Sequence, residues 1–309
     1  KIHNEIKKKL KKFQKKIKIK LFHFPEYNQK FLYGQSTKKL LSFVKEEYCV
    51  KTGDDDFLII KNVNKCINFL NDNQDYSSAF GRTRQMLISN EYNKCKFTDY
   101  FNKFRGYTND QVIDRFSSFI NNYFVLEFAV NRTEILRKVY EKIDDISENY
   151  LVEIYGCGLM SIFGKSKFID ELYLVRGFLK IKNKNLKFSE LFFGQNKTIM
   201  QLFLSKDWSL SIKFLYKNYI DIFNKLENEN KKNLHVFSNL IDIYLYKYYF
   251  GIISKELKSH NNKLNTLFIF KIYYNALRIF NYLIMISNNI KYSNSNTELT
   301  ILKKTFKND

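Results

Sequence analysis

Apolar residues recur along this chain at helical spacing over most of its length and change texture in one central stretch. In residues 1–20, KIHNEIKKKLKKFQKKIKIK, the apolar positions Ile6, Leu10, Phe13 and Ile17 fall four, three and four apart. That spacing puts them on one face of a helix and leaves lysine on the rest. Pro25, the only proline, biases Phe24 away from helix, so 21–35 reads as loop or short strand. The run STKKLLSFVKEEY predicts a helix capped by Ser36 or Thr37, and TGDDDFLII a turn with Asp54, Asp55 and Asp56. From 77 to 147, the runs SSAFGRTRQMLISNEY, NDQVIDRFSSFINNYF and NRTEILRKVYEKIDDI carry a helical period, with Asn109 and Asn131 as caps. Residues 149–193 hold four glycines, at 156, 158, 164 and 177, and runs such as YLVEIYG, ELYLVRGFLKIK and LKFSELFF predict short strands. Long helices return over 198–290, and 291–309 is a polar tail. The expected organisation is a basic arm (1–20), one large globular domain (21–290) with a β-rich insert at 149–193, and the tail.

Composition supports that fold class. Ten glycines and one proline in 309 residues leave few sharp turns, which disfavours a many-stranded sandwich. The expected class is mainly α within α+β, a helical protein with a small central sheet. Hydrophobic residues make up 45% of the chain, enough for a packed core rather than global disorder. The most apolar runs, LIDIYLYKYYFGII and LFIFKIYYNALRIFNYLIMI, are interrupted by Asp242, Lys247, Lys271 and Arg278. They predict buried helices and no membrane span.

Charge changes the picture most. Fifty-two Lys and Arg face 31 Asp and Glu, a net +21, with pI near 9.5. Such a surplus creates a long-range field that attracts polyanions, nucleic acid first and an anionic membrane surface second. Heavy use of Lys, Asn, Ile, Phe and Tyr matches an AT-rich coding sequence, which explains part of the lysine but not the shortage of acids. Among the five arginines from Arg82 to Arg132, Arg82, Arg84 and Arg105 are the candidate RNA-binding residues beside Arg115 and Arg132. A planar guanidinium fits phosphate well, although ion pairs between elements use it equally.

Several chemistries lack their residues. Cys49, Cys66, Cys95 and Cys157 show no C-x-x-C spacing and no histidine at zinc-motif distance, so free thiols are expected and no metal or other cofactor. No phosphate-binding G-x-x-x-x-G-K-[ST] loop, G-x-S-x-G elbow or H-E-x-x-H pair occurs. Gly156 and Gly158 ahead of Asp170 and Glu171 invite comparison with polymerase-beta-like nucleotidyltransferases. Those enzymes place two carboxylates two residues apart; here they are adjacent, so on a strand they point to opposite faces. What remains is histidine-based acid–base chemistry without metal, for which RNA transesterification is the natural reaction of a basic protein.

His260 is the leading candidate general acid, flanked by Lys258 and Lys263 in the polar turn ELKSHNNKLN. Those lysines would bind phosphate. His23 and Glu26 share the Pro25 loop and form a second catalytic pair, while His235 reads as packing at a helix start and His3 and Glu5 sit in the lysine-rich arm. Each of these histidines equally suits an ordinary exposed or packing position.

In its AT-driven composition, basicity, few histidines and start at Lys1 rather than Met, the chain resembles the tRNA-cleaving toxin subunits encoded on linear cytoplasmic plasmids of killer yeasts. The resemblance is one of composition and carries no alignable motif. It implies a secreted endoribonuclease that acts on tRNA in the cytoplasm of a target cell. It also implies 2′,3′-cyclic phosphate products and an immunity protein or carrier subunit as partner. Two alternatives explain the charge: a non-catalytic RNA-binding component of an organellar, mitochondrial ribosome, and a membrane-surface or assembly protein using the basic arm.

Overall fold

A computed structural model describes residues 10, 18–22, 33–88, 95–100, 104–146, 149–179, 206–226, 233–245 and 247. The described residues form an α+β fold. Its helices are α1 (Tyr33–Leu41), α2 (Ile60–Asp72), α3 (Val112–Asn121), α4 (Thr133–Tyr140), α5 (Asn149–Phe163), α6 (Lys206–Leu226) and α7 (233–245). Its strands are β1 (Tyr48–Val50), β2 (Phe57–Leu58), β3 (Tyr76–Ile88), β4 (Cys95–Tyr100), β5 (Val130–Arg132) and β6 (Lys165–Leu179). The strands make one mixed sheet in the order β1-β5-β3-β6-β2, with β4 paired to β3 off that path. The long strands β3 and β6 run parallel at its centre, from Tyr76 opposite Lys165 to Ile88 opposite Leu179. Every other pairing is antiparallel.

Helices cover both faces. Cys66 and Leu70 of α2 pack with Ala79, Val130, Tyr173 and Leu174 on one face. The larger core lies on the other, where Phe80 and Phe168 meet α3, α4, α5, α6 and α7. Ala79 and Phe80, neighbours in β3, thus serve opposite layers, as the strand period of two requires. Burial of this aromatic-rich core is the main stabilising term.

Helix α5 is the axis of that core. Leu151, Val152, Ile154, Tyr155, Cys157, Leu159, Met160 and Ile162 are all buried. A helix apolar on every side shows no amphipathic period. That is why YLVEIYG, rich in β-branched and aromatic residues, suggested a strand; the expectation for 149–163 is corrected to helix. Its two glycines have packing reasons: a Cβ at Gly158 would collide with the Tyr219 hydroxyl of α6, and one at Gly156 would lie 2.9 Å from Glu127 Oε1. Contact of that kind outweighs the roughly 1 kcal/mol each glycine costs a helix relative to alanine.

The reverse correction applies at 77–92, where 76–88 is strand β3 rather than helix. Ser77, Ser78, Ala79 and Phe80 are all buried, because a strand covered on both faces loses its simple alternation. The sheet is also not confined to 149–193, since it gathers strands from Tyr48 onward. The predicted strand ELYLVRGFLKIK falls largely in β6, whereas LKFSELFF lies outside the described residues.

Caps differ as well. Helix α1 begins at Tyr33, so Ser36 and Thr37 lie inside it and their hydroxyls donate to the Tyr33 carbonyl at 3.0 and 2.9 Å. It ends at Leu41, and Tyr48 has entered β1. Asn131 sits in β5 and donates to the carbonyls of Leu126 and Ala129, at 3.2 and 2.8 Å, instead of capping α4. Gln111, not Asn109, precedes α3.

Gly106, with φ +96°, lets the segment before α3 lie on the Ser166 carbonyl of β6. Among the described residues no helix is long and apolar enough to cross a membrane.

Candidate functional site

The arginines do different work from one another. Arg115 of α3 is buried, and its guanidinium donates to the carbonyls of Ser161 (3.0 Å), Ile162 (2.9 Å), Asn109 (3.0 Å) and Asp110 (2.6 Å). It therefore closes the C-terminal end of α5, where the helix leaves its last carbonyls unpaired and the dipole favours a cation. Arg132 does the same for α2, donating to Leu70 O at 2.6 Å and Asn73 O at 3.3 Å. It also donates to Tyr76 O at 2.9 Å and Glu47 Oε1 at 3.2 Å. Neither guanidinium faces solvent for a phosphate.

Arg82, Arg84 and Arg105, the three predicted RNA contacts, are exposed. Arg82 Nε lies 3.3 Å from Asp170 Oδ1, and beside it Lys65 of α2 pairs with Glu171. That pairing, with Lys61 and Arg82 nearby, lowers the Glu171 carboxyl below its usual range. Arg105 lies on the Phe168 ring, 4.6 Å from its centroid, and Phe168 belongs to the helix-covered core. Arg82 thus sits beside α2 while Arg105 sits at the opposite layer, and these two form no common site. Asp170 and Glu171 occupy an irregular step of the β3–β6 ladder, between the Gly81–Ile169 and Arg82–Leu172 pairs. Each carboxylate is engaged by a cation, and Gly156 and Gly158 belong to α5, so the nucleotidyltransferase arrangement is absent.

A second cluster escaped the sequence reading. Glu127 is fully buried, yet Lys51 Nζ stands 2.8 Å from its Oε2 and the Tyr140 hydroxyl donates to its Oε1 at 2.6 Å. Tyr33 also donates to Oε2, and Lys51 donates to Tyr33. One carboxylate thereby joins α1, the chain after β1, α4 and, through the gap left by Gly156, α5. Glu153 of α5 accepts from the Tyr123 hydroxyl at 2.6 Å. Its carboxyl is held above the usual range, first by burial and then by the charge of Glu127, with Tyr123, Lys51 and Arg176 opposing. The sequence signal was a single acid inside an apolar run, FVLEFAV for Glu127 and YLVEIYG for Glu153. Such a residue is buried only with partners.

The two carboxyls have different capacities. Glu127 is satisfied by three donors and acts as the counter-charge of Lys51. Glu153 retains partial solvent access and a proton held unusually tightly, the property of an acid. Its folded pKa lies above the ordinary carboxyl value that the unfolded chain has, so the native state binds the proton better. Stability is therefore greatest below the ordinary value and falls as pH rises through the raised one. Replacing Glu153 with Gln keeps the Tyr123 bond and removes the charge. We expect this variant to melt higher than wild type at pH 8 and equally at pH 4, in thermal scans followed by circular dichroism. A lower melting temperature at pH 8 would contradict this reading.

Cys49, Cys66 and Cys157 are free thiols. Burial pushes Cys66 up to about 12 and Cys157 well above its ordinary value, so neither is a nucleophile. His235 lies in α7 and is exposed, where packing was expected. His260, His23, Glu26, Lys258 and Lys263 lie outside the described residues, as do His3 and Glu5.

Charge divides unevenly along the chain. The described residues include 25 Lys and Arg and 21 Asp and Glu, a surplus of +4. The remaining segments hold 27 against 10, a surplus of +17 out of the total of +21. The described residues are close to charge balance, and several of their cations close helices or meet carboxylates.

No known family model matches the chain, and no curated protein matches it.

Proposed function

We propose that the chain is a basic RNA-binding protein that cuts tRNA by metal-independent transesterification. The observation that carries this reading is the net charge of +21 and its placement. A field of that size has a polyanion as its natural partner. The surplus is concentrated in the lysine-rich arm and in the segments that include Lys258, His260 and Lys263, not in the nearly balanced described body. In the reaction a base removes the proton of a ribose 2′-OH, and the oxygen attacks the adjacent phosphorus. The bond to the 5′ oxygen breaks as His260 protonates it, while lysine stabilises the extra negative charge. His23 and Glu26 supply the candidate base. Secretion, action in a target cell and neutralisation by an immunity protein belong to the same proposal through the resemblance to killer-toxin subunits.

The test is incubation of the purified protein with total tRNA in EDTA. Discrete fragments ending in 2′,3′-cyclic phosphate and 5′-OH are expected, and about a hundredfold or greater loss in His260→Ala, the scale of one general acid. Intact tRNA that is only retarded on a gel would instead favour the non-catalytic RNA-binding reading.

A further inference from the structure

Three large apolar side chains stand in water beside one another near the N-terminal end of the described residues. Leu21 is 40% exposed, Leu40 42% and Phe43 41%. They are neighbours rather than scattered. Leu40 lies in the last turn of α1, and the Phe43 amide donates to its carbonyl at 3.0 Å. Phe22 stacks on Phe43 with ring centroids 4.3 Å apart, which lays segment 18–22 along the chain after α1. The Glu46 carboxyl is held below its ordinary value, first by the backbone amides of Glu46 and Lys45 and then by the charges of Lys18 and Lys20. Lys18, Lys20, Lys39 and Lys45 are all exposed around this group, and of the two nearby acids Glu47 is engaged by Arg132.

We propose that this patch binds the surface of an anionic lipid bilayer. An RNA backbone would satisfy the lysines but leave Leu21 and Leu40 exposed to water. A membrane interface meets both requirements, since anionic headgroups attract the lysines while the apolar tips enter the acyl boundary. A second copy of the chain would bring like charges together. The mode is lying on the surface, not spanning it. The proposal stands independently of the tRNA reading, because it rests on exposed apolar side chains that RNA binding does not use.

Flotation of the full chain with phosphatidylcholine vesicles, with and without phosphatidylserine as about one-third of the lipid, tests it. Binding is expected only to the phosphatidylserine vesicles, and the Leu40→Ser/Phe43→Ser variant should lose about tenfold in partition coefficient. Lys18→Gln/Lys20→Gln should lose a similar factor. Both substitution sets are on the surface, and circular dichroism of both variants, with tRNA retardation by the Leu40→Ser/Phe43→Ser variant, would confirm a folded protein. Equal binding to both vesicle types, binding to neither, or a Leu40/Phe43 variant that loses tRNA retention instead of vesicle binding would overturn the proposal.

Discussion

Glu127→Ala is expected to cost the fold about 3–5 kcal/mol, measured by urea unfolding, because it leaves the Lys51 ammonium without its counter-charge in a largely enclosed site. The carboxylate it removes accepts from Lys51, Tyr33 and Tyr140, and each donor would then need a new partner or water. Simple removal of Lys51, as in Lys51→Met, should also be severe, because a fully buried carboxylate would remain. The double replacement Glu127→Leu/Lys51→Met should recover much of the loss. A buried ion pair often breaks even against apolar residues of similar volume, whereas half of one does not. Additive losses in the double variant would show that the pair is not acting as a unit.

Arg115→Ala should be nearly as damaging, at about 3 kcal/mol, since it removes the guanidinium fork that donates to four carbonyls, those of Ser161, Ile162, Asn109 and Asp110. Ser161 O and Ile162 O end α5, the helix around which the main core is arranged. The loss should therefore be global rather than local. Arg115→Lys should recover less than half, because a point charge cannot reach carbonyls of two separate segments. Hydrogen exchange at the α5 amides offers the clearest readout. Protection there that is unchanged in Arg115→Ala would contradict the role assigned to it.

These two residues show what sequence does and does not disclose here. The presence of helices over 109–124 and 131–146 follows from their apolar period, because each has one buried and one exposed face. Helix α5 and strand β3 were exchanged for each other in the reading for a single reason. Helix α5 is buried on more than one side, as is β3 over residues 77–80, and burial erases the period that distinguishes 3.6 from 2. Arg115 and Arg132 lie among the five arginines that suggested phosphate, yet both donate to backbone carbonyls of distant elements, Ser161 and Ile162 for Arg115 and Leu70 and Asn73 for Arg132. No local pattern announces such a partner. Glu127 and Glu153 were visible as single acids in apolar runs, but their pairing with Lys51 and Tyr123 depends on how α1, α4 and α5 pack.

The described residues are nearly charge-balanced, and we propose that the lysine-rich segments carry the polyanion affinity. The direct measurement is the dependence of tRNA affinity on salt for the full chain and two variants. One has Lys7, Lys8, Lys9, Lys11 and Lys12 changed to Gln, and the other has Arg82, Arg84 and Arg105 changed to Gln. Each phosphate contact contributes about 0.7 to 0.9 to the slope of log affinity against log salt. The lysine variant is expected to lose about 3.5 to 4.5 in slope and the arginine variant less than about one. A large loss of slope in the arginine variant, with the lysine variant unchanged, would contradict the account.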